Sequence, residues 1–508
     1  MTDPKGLHPH EGQPAGVQVV WFKRDLRLAD HAPFSMAVQS GAVLPVCIIE
    51  PDYWVQPDTS HRQWVFFSSS LNDLAQALSA LGGGIWVMVG DAVAMLERVR
   101  QLHPCMTLWS HEETGNAWTY ARDRRVIQWC RDHHITWLEA PSNGVVRRLG
   151  HANQWGSIRA QRMAAPTLSV PEGPFEWATR LDSDVYRGGY GWQVAGERTQ
   201  EGGRKAGLSL LHSFINGRGQ RYLAHLATPH GASTHCSRLS PHIAWGTLSV
   251  REIEQAVMAA CESTPISEST GRSMAAFLSR LSWRCHFVQK LERNPSIETD
   301  CVHPLFESLR PRQPNETYFE AWQAGKTGYP LVDACMRALR QTGWLTFRMR
   351  AMLMSFASYH LWLDWRVTGP LLARLFTDYE AGIHWYQCQM QSGVTGINAI
   401  RMYDPIKQSK VNDPQGTFIR QYLPELKNVP LAYLHEPWRW DGADYPSPIV
   451  GHSTAIRAAR DAISACRHDP DFKPHQQAIV SQLATRKRKR PGPMVIPEQA
   501  QLPFGDFL

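Results

Sequence analysis

Two domains are predicted, an N-terminal α/β domain built on a parallel sheet and an all-α C-terminal domain. Short apolar runs rich in branched and aromatic residues alternate with helix-like segments from Val17 to about Ala140. From about Ala206 to His475 the apolar spacing is helical throughout. The chain has 508 residues, 43% of them hydrophobic, which is enough for more than one buried core.

In the first region the strand-like runs are residues 17–22 (VQVVWF), 43–50 (VLPVCIIE), 84–90 (GIWVMVG), 105–111 (CMTLWSH) and 135–140 (ITWLEA). Helix-like segments lie near 32–39, 68–81, 91–103 and 118–133. Continuous apolar strands separated by helices predict a Rossmann-like parallel sheet covered on both faces, assigned here to residues 17–140. Gly82, Gly83 and Gly84 do not form a GxGxxG fingerprint and mark a turn. Arg24, Asp25 and Arg27 follow the first strand, at the carboxyl end of the sheet. Such positions serve ligand binding or interdomain salt bridges, and the sequence leaves both readings open.

Residues 141–205 lose this rhythm. They are rich in Gly, Pro and Arg, contain GPFEW and YRGGYGWQ, and read as a connector between domains. The helical domain is assigned to 206–475, and 476–508 to a basic, Pro-containing tail with Arg486–Arg490 as its charged run.

The densest stretch is Thr327 to Gln408. Leu331, Cys335, Ala338 and Leu339 recur at helical spacing, and Thr342-Gly343 supplies a C-terminal stop. A second run from about Leu345 to Trp365 reads as one longer helix. Arg348, Arg350, His360 and Asp364 argue against a membrane span. Buried arginines need anionic partners, and Asp378 and Glu380 come soon after. A cavity of Arg, Asp, Trp and Met suits a large, flat, partly charged cofactor, and a helical core with incidental ion pairs explains the same residues.

The net charge of +7 leans toward a polyanionic partner, weakly for so long a chain. Ten cysteines are scattered with no CxxC spacing, which gives a metal or iron–sulfur site no local support. The first sixteen residues lack an apolar signal core, so a cytoplasmic protein is expected. Twenty tryptophans serve packing or electron transfer, and composition does not choose between them.

VVWFKRDLRLAD (19–30), SRLSPHIAWGTLS (237–249), LSWRCHF (281–287), GKTGYPLVDACMRAL (325–339), TGWLTFRMR (342–350), DPQGTFIRQYLPEL (413–426) and HEPW (435–438) together resemble the photolyase/cryptochrome flavoproteins. The resemblance runs in order from residue 17 to about 475. It implies an all-α, FAD-binding C-terminal domain, blue-light excitation, and either electron transfer to a pyrimidine lesion in DNA or a light signal.

By this resemblance the cofactor-binding residues are Tyr222, Ser237, Arg238, Leu239, Ser240, Arg284, Trp344, Phe347, Arg350, Asp378, Glu380 and His384. Ser237–Ser240 corresponds to the diphosphate loop, and Arg350 with Asp378 to the ion pair against the isoalloxazine. The resemblance further implies that chemistry is carried by Trp283 on the substrate side, by His384 opposite flavin N5, read as a proton donor or as a packed ring, and by an electron chain. In that chain Trp365 is the middle member, the innermost falls on Tyr386 with Trp385 adjacent, and the outermost falls on Phe306, which is not readily oxidised. Trp362 or Tyr359 offers another exit. Arg280, Trp283, Arg348, Arg401, Lys407 and Gln408, together with Lys410, are expected to face DNA, chiefly its phosphates.

The lesion pocket departs from both known patterns. Arg280 stands where dimer-repairing enzymes have a carboxylate, Thr346-Phe347 where they have His-Asn, and Cys388 at the second cradle tryptophan. Phe347 and Ala351 replace the paired histidines of (6-4) enzymes. Before Ala121-Arg122-Asp123 the glutamate of a folate antenna is lacking, and the antenna chromophore is left unassigned. The leading expectation is a monomeric, DNA-repairing photolyase-like enzyme. A cryptochrome-type photoreceptor with a protein partner is the alternative, and a nucleic-acid-binding module with structural FAD a third.

Overall fold

The computed structural model describes residues 16–186, 196–263 and 265–483. Five strands, β1 (Val17–Phe22), β2 (Val43–Ile49), β3 (Trp86–Val89), β4 (Met106–His111) and β5 (Thr136–Ala140), form one parallel sheet in the order β3-β2-β1-β4-β5. Helices α1 (Ala32–Ser40), α2 (His61–Ala80), α3 (Ala92–Leu102) and α4 (Ala117–Asp132) cover both faces. Alternation along β1 sends Val20 and Phe22 into a core with Phe34, Phe66 and Leu74. Val19 and Trp21 enter the opposite core with Leu96, Val99 and Val126. Strand order reverses between β1 and β4, so the crevice at their carboxyl ends is the switch point of the sheet.

The connector is more ordered than its composition suggests. It carries α5 (Trp155–Ala164), and Glu176 and Ala178 pair with Val43 through backbone hydrogen bonds of 2.8 and 3.0 Å. Gly202 and Gly203 then donate to Ser69 and Ser70 on α2. The YRGGYGWQ segment beyond Tyr186, and the tail run Arg486–Arg490, lie outside the described residues.

Six helices of the second region carry the site: α6 (Glu268–Arg293), α7 (Pro330–Thr342), α8 (Phe347–Ser355), α9 (Trp365–Leu375), α10 (Ala381–Ser392) and α11 (Phe472–Leu483). Gly343 ends α7 in the left-handed conformation, φ 69°, where the Thr-Gly signal places the stop. The expected single helix over 345–365 is instead two. After α8 the chain makes a π turn at Phe356–His360, passes through Trp362 at φ 55°, and restarts where the Asp364 carboxylate accepts the Arg366 N–H. The helical region also runs past 475, since Phe472, Ile479 and Leu483 of α11 are buried. Among the described residues no helix is long and apolar enough to cross a membrane.

The two domains are tied by polar groups that no local pattern announces. Helix α2 begins seven residues earlier than its apolar spacing suggests, at His61, and its first turn carries Arg62 and Gln63. Arg62, 1% exposed, donates to the carbonyls of Leu339, Arg340 and Leu375 at 2.5–2.8 Å. Gln63 donates to Ala373 and Phe376 at 2.9 and 3.2 Å. These carbonyls end α7 and α9, so the α/β domain supplies the caps those helices lack. At the switch point Gly246, φ 67°, lies against the backbone of Arg24, and Arg27 donates to its carbonyl at 2.9 Å. Arg24, Asp25 and Arg27 are thus part of the domain junction. Replacing Arg62 by Met removes the donor to the Arg340 and Leu375 carbonyls, while Leu339 keeps the Gly343 N–H, and is expected to lower stability by about 3 kcal/mol in urea unfolding, with partial recovery for Arg62→Lys.

Candidate functional site

Arg350, one turn into α8, reaches the segment between α9 and α10. Its two terminal nitrogens donate to the Asp378 carboxylate at 2.9 and 2.8 Å, and its Nε to the Leu345 carbonyl at 2.9 Å. Its guanidinium also lies 4.0 Å from the centre of the Phe376 ring. Burial alone would raise the Asp378 carboxyl, but the Arg350 charge and hydrogen bond, with one from Ser240, hold it below the ordinary range. The Ser237–Ser240 loop is therefore tied directly to this pair.

Arg284 on α6 makes the second ion pair, its Nε donating to Glu380 at 2.8 Å. Arg238 holds φ 62°, places its guanidinium 4.3 Å from the centre of the Trp344 ring, and donates to Gln200 at 3.2 Å. Arg218 donates to the carbonyls of Cys236 and Ser237 and fixes the loop from behind. Gln200 and Arg218 were not singled out from the sequence, because their partners are backbone groups of a distant segment. Arg284 Nη1 and Arg238 Nε are buried without a hydrogen-bond acceptor. Two unsatisfied guanidinium nitrogens beside an indole and a carboxylate pair fit an anionic, flat dinucleotide. Arg238, Ser237, Ser240, Trp344, Arg284, Arg350 and Asp378 would hold FAD. Tyr222 is buried against Phe214 and Phe277, and the charge of the nearby, half-buried Arg280 partly offsets the upward push that burial gives its hydroxyl.

His384 is buried, and its Nε2 lies 2.9 Å from the Gly369 carbonyl. A carbonyl only accepts, so the ring proton sits on Nε2. Burial pushes this imidazole down to about 4. At neutral pH His384 is therefore neutral with Nδ1 as an acceptor, which corrects the expectation of a proton donor.

Trp385, not Tyr386, packs on Trp365, with ring centres 6.0 Å apart, and its other neighbour is His384 at 4.9 Å. Tyr386 turns toward Phe287 at 5.8 Å and the Lys290 ammonium at 4.0 Å, and donates to Asn398. Consecutive helical residues point about 100° apart, which separates the two rings. Trp283 is half-buried against His286 and Phe287. Phe347, grouped with the cofactor residues from sequence, is 47% exposed at the first position of α8. Phe306 is buried between His303 and Phe472.

On the outer face Lys407 is exposed, Arg348 and Arg401 are half-buried, and Gln408 accepts from Asn412. Lys410 is paired with Glu436 at 2.7 Å and is less available to phosphate than expected.

Asp25, His31 and His111 converge at the switch point closely enough to hold a metal ion. Their hydrogen bonds describe something else. His31 Nδ1 accepts the Phe34 N–H at 3.1 Å, so its proton is on Nε2 and donates to Asp25 at 3.0 Å. His111 Nδ1 is 2.8 Å from the same oxygen. An Nε2 that carries hydrogen has no lone pair for a metal. Nearby Arg122 and Asp123, in the weak antenna motif, are engaged with each other and with Glu50 and Glu113.

Two outcomes follow. Asp378→Asn removes the anion facing Arg350 and is expected to cost about 2 kcal/mol in chemical unfolding. Because the folded Asp378 carboxyl titrates below its unfolded value, its stabilising share is present at neutral pH and lost only as pH falls through the lower folded value. His384 acts in the same sense and at higher pH: the unfolded ring binds its proton near 6.5 and the folded ring near about 4. Stability should therefore decline as pH falls across that interval, and His384→Gln should flatten the decline in unfolding measured against pH.

Residues 18–158 match the family model of DNA photolyase, and residues 277–465 that of the FAD binding domain of DNA photolyase. The chain is 30% identical over 483 residues to the deoxyribodipyrimidine photo-lyase of Salmonella typhimurium, spanning 88% of this chain and 98% of that protein. It is 28% identical over 487 residues to cryptochrome DASH of Synechocystis sp., spanning 87% and 96%. The solved structure of the Synechocystis sp. cryptochrome aligns with a TM-score of 0.79 at 25% identity, covering 89% of this chain and 100% of that one. With the cofactor residues gathered as described and both domains matched, the chain belongs to the photolyase/cryptochrome flavoprotein family and carries its FAD-binding domain.

Proposed function

We propose that this protein is a FAD-dependent, blue-light-driven DNA photolyase-like enzyme acting on pyrimidine lesions in the cytoplasm as a monomer. The observation that carries the proposal is the paired arrangement of Arg350–Asp378 and Arg284–Glu380 around Arg238 and Trp344. It supplies fixed positive charge beside a flat cofactor, with the exposed Lys407 on the outer face for phosphate. When bound, FAD supplies light absorption and one-electron chemistry.

The protein's own groups do the rest. Arg350 is oriented by Leu345 and Asp378, so its charge does not move when the cofactor's charge changes. His384 offers an acceptor nitrogen at Nδ1, since its other nitrogen is committed to Gly369. Trp385 and Trp365 provide adjoining oxidisable rings leading away from His384. A flipped base pair would enter past Trp283 and Phe347, aromatic surfaces on which bases stack.

A second reading, a cryptochrome-type photoreceptor acting on a protein partner, is supported by the buried Cys388 at the cradle position. Reduced, FAD-loaded protein under blue light is expected to remove cyclobutane or (6-4) lesions from single- or double-stranded oligonucleotides. No light-dependent repair of either lesion on either strand form, together with light-dependent hydrogen exchange, would replace the enzyme by the receptor.

A further inference from the structure

We infer that the Trp385–Trp365–Cys301–Glu307 array is a combined electron and proton exit, in which the Cys301 thiol, rather than an outer aromatic ring, reduces photo-oxidised Trp365. The inference rests on the light-driven reading above and names a donor that reading leaves unassigned.

The array is continuous. Trp365 adjoins Trp385 and is 1% exposed. Its indole N–H donates to Cys301 Sγ at 3.5 Å, and Arg366 Nη2 lies 3.4 Å from the same sulfur. The Cys301 thiol donates to the Phe306 carbonyl at 3.6 Å, and the Glu307 carboxylate beside it accepts the Cys301 backbone N–H at 2.9 Å. Glu307 is 40% exposed and opens the array to solvent.

The other exits are closed by chemistry. Phe306 is not oxidisable at the required potential and is packed on His303 and Phe472. Tyr359 loses a proton when oxidised, yet its buried hydroxyl has no hydrogen-bond partner. Arg310, a buried cation, lies 5.5 Å from the Tyr359 ring centre and 4.6 Å from that of Trp362, and disfavours positive charge on either. Trp385 likewise has a buried N–H without an acceptor, so it cannot settle by deprotonation. Charge passes from Trp385 to Trp365, where the Arg366 guanidinium 4.8 Å from the ring centre is offset by its own ion pairs with Asp364 and Glu307.

The step balances as follows. Photo-excited oxidised flavin is the oxidant, and the electron vacancy reaches Trp365 through Trp385. One electron passes from Cys301 to the Trp365 radical cation, restoring the indole. The thiol hydrogen turns from the Phe306 carbonyl to the neighbouring Glu307, the S–H bond breaks, its proton forms an O–H bond on Glu307, and Cys301 is left as a thiyl. A soluble one-electron reductant of the ascorbate class then supplies the electron, and Glu307 returns the proton, which restores the thiol.

The test uses full-length, FAD-loaded protein and the variants Cys301→Ser, Glu307→Gln and Trp365→Phe, with matched flavin content as the check on folding. Tryptophan-radical decay is followed after a blue flash, and nitrone spin-trap adducts are mapped by mass spectrometry. Cys301→Ser is expected to lengthen the radical's lifetime about tenfold or more, and Glu307→Gln to lengthen it less. The wild type is expected to carry an adduct on the Cys301 peptide that Trp365→Phe abolishes. Unchanged decay in Cys301→Ser, or trapping confined to other residues, overturns the inference while leaving the light-driven reading intact. The absence of any tryptophan radical in the wild type overturns both.

Discussion

The hydrogen bonds from Arg62 to three backbone carbonyls are the constraint on which the rest of the molecule depends. Helices α7 and α9 end on either side of the segments that carry Trp344 and Asp378. Their last carbonyls are buried at the domain junction, where water cannot satisfy them. One guanidinium from the α/β domain does so, with Gln63 completing α9. The positions of Trp344 and Asp378 are consequently set by a side chain nearly three hundred residues earlier. The α/β domain is thus a structural partner of the cofactor site whether or not it carries a chromophore of its own.

The site itself is governed by the cost of burying charge. Each arginine near the presumed cofactor has a specific anchor: Asp378 for Arg350, Glu380 for Arg284, and Gln200 with the Trp344 face for Arg238. Two of the three also retain a direction of use, since single nitrogens of Arg284 and Arg238 are left unsatisfied. Such an arrangement is costly in an empty protein and favourable around an anion. The same accounting separates Asp25, His31 and His111, where both imidazoles lie within hydrogen-bond distance of one Asp25 oxygen, from a metal-binding triad.

Departures from the family pattern cluster where redox and substrate chemistry occur. Histidine, cysteine and phenylalanine stand at His384, Cys388 and Phe306, and arginine at Arg280. Packing alone tolerates all four. What they alter is which atoms donate or accept protons and electrons: His384 commits its Nε2 proton to the Gly369 carbonyl and leaves Nδ1 as an acceptor, and Phe306 is inert. Substrate choice and electron supply are therefore the properties expected to distinguish this chain from its relatives, while the grip on FAD is shared.

The sequence by itself determined the sheet, its helical covering and the Gly343 stop, because strand and helix periodicity and glycine's left-handed preference act over a few neighbouring residues. It also carried the resemblance, since motifs such as TGWLTFRMR are contiguous. Only the tertiary structure decided that 345–365 breaks at a π turn, since Asp364 caps a helix whose packing no local period reveals. It likewise decided between Trp385 and Tyr386, which adjoin in sequence but diverge by about 100° around the helix. The roles of Arg62, Gln63, Gln200, Arg218 and Cys301 were illegible for one reason. Each acts through a hydrogen bond to a group far away in the chain, and such a bond has no period, spacing or composition to mark it.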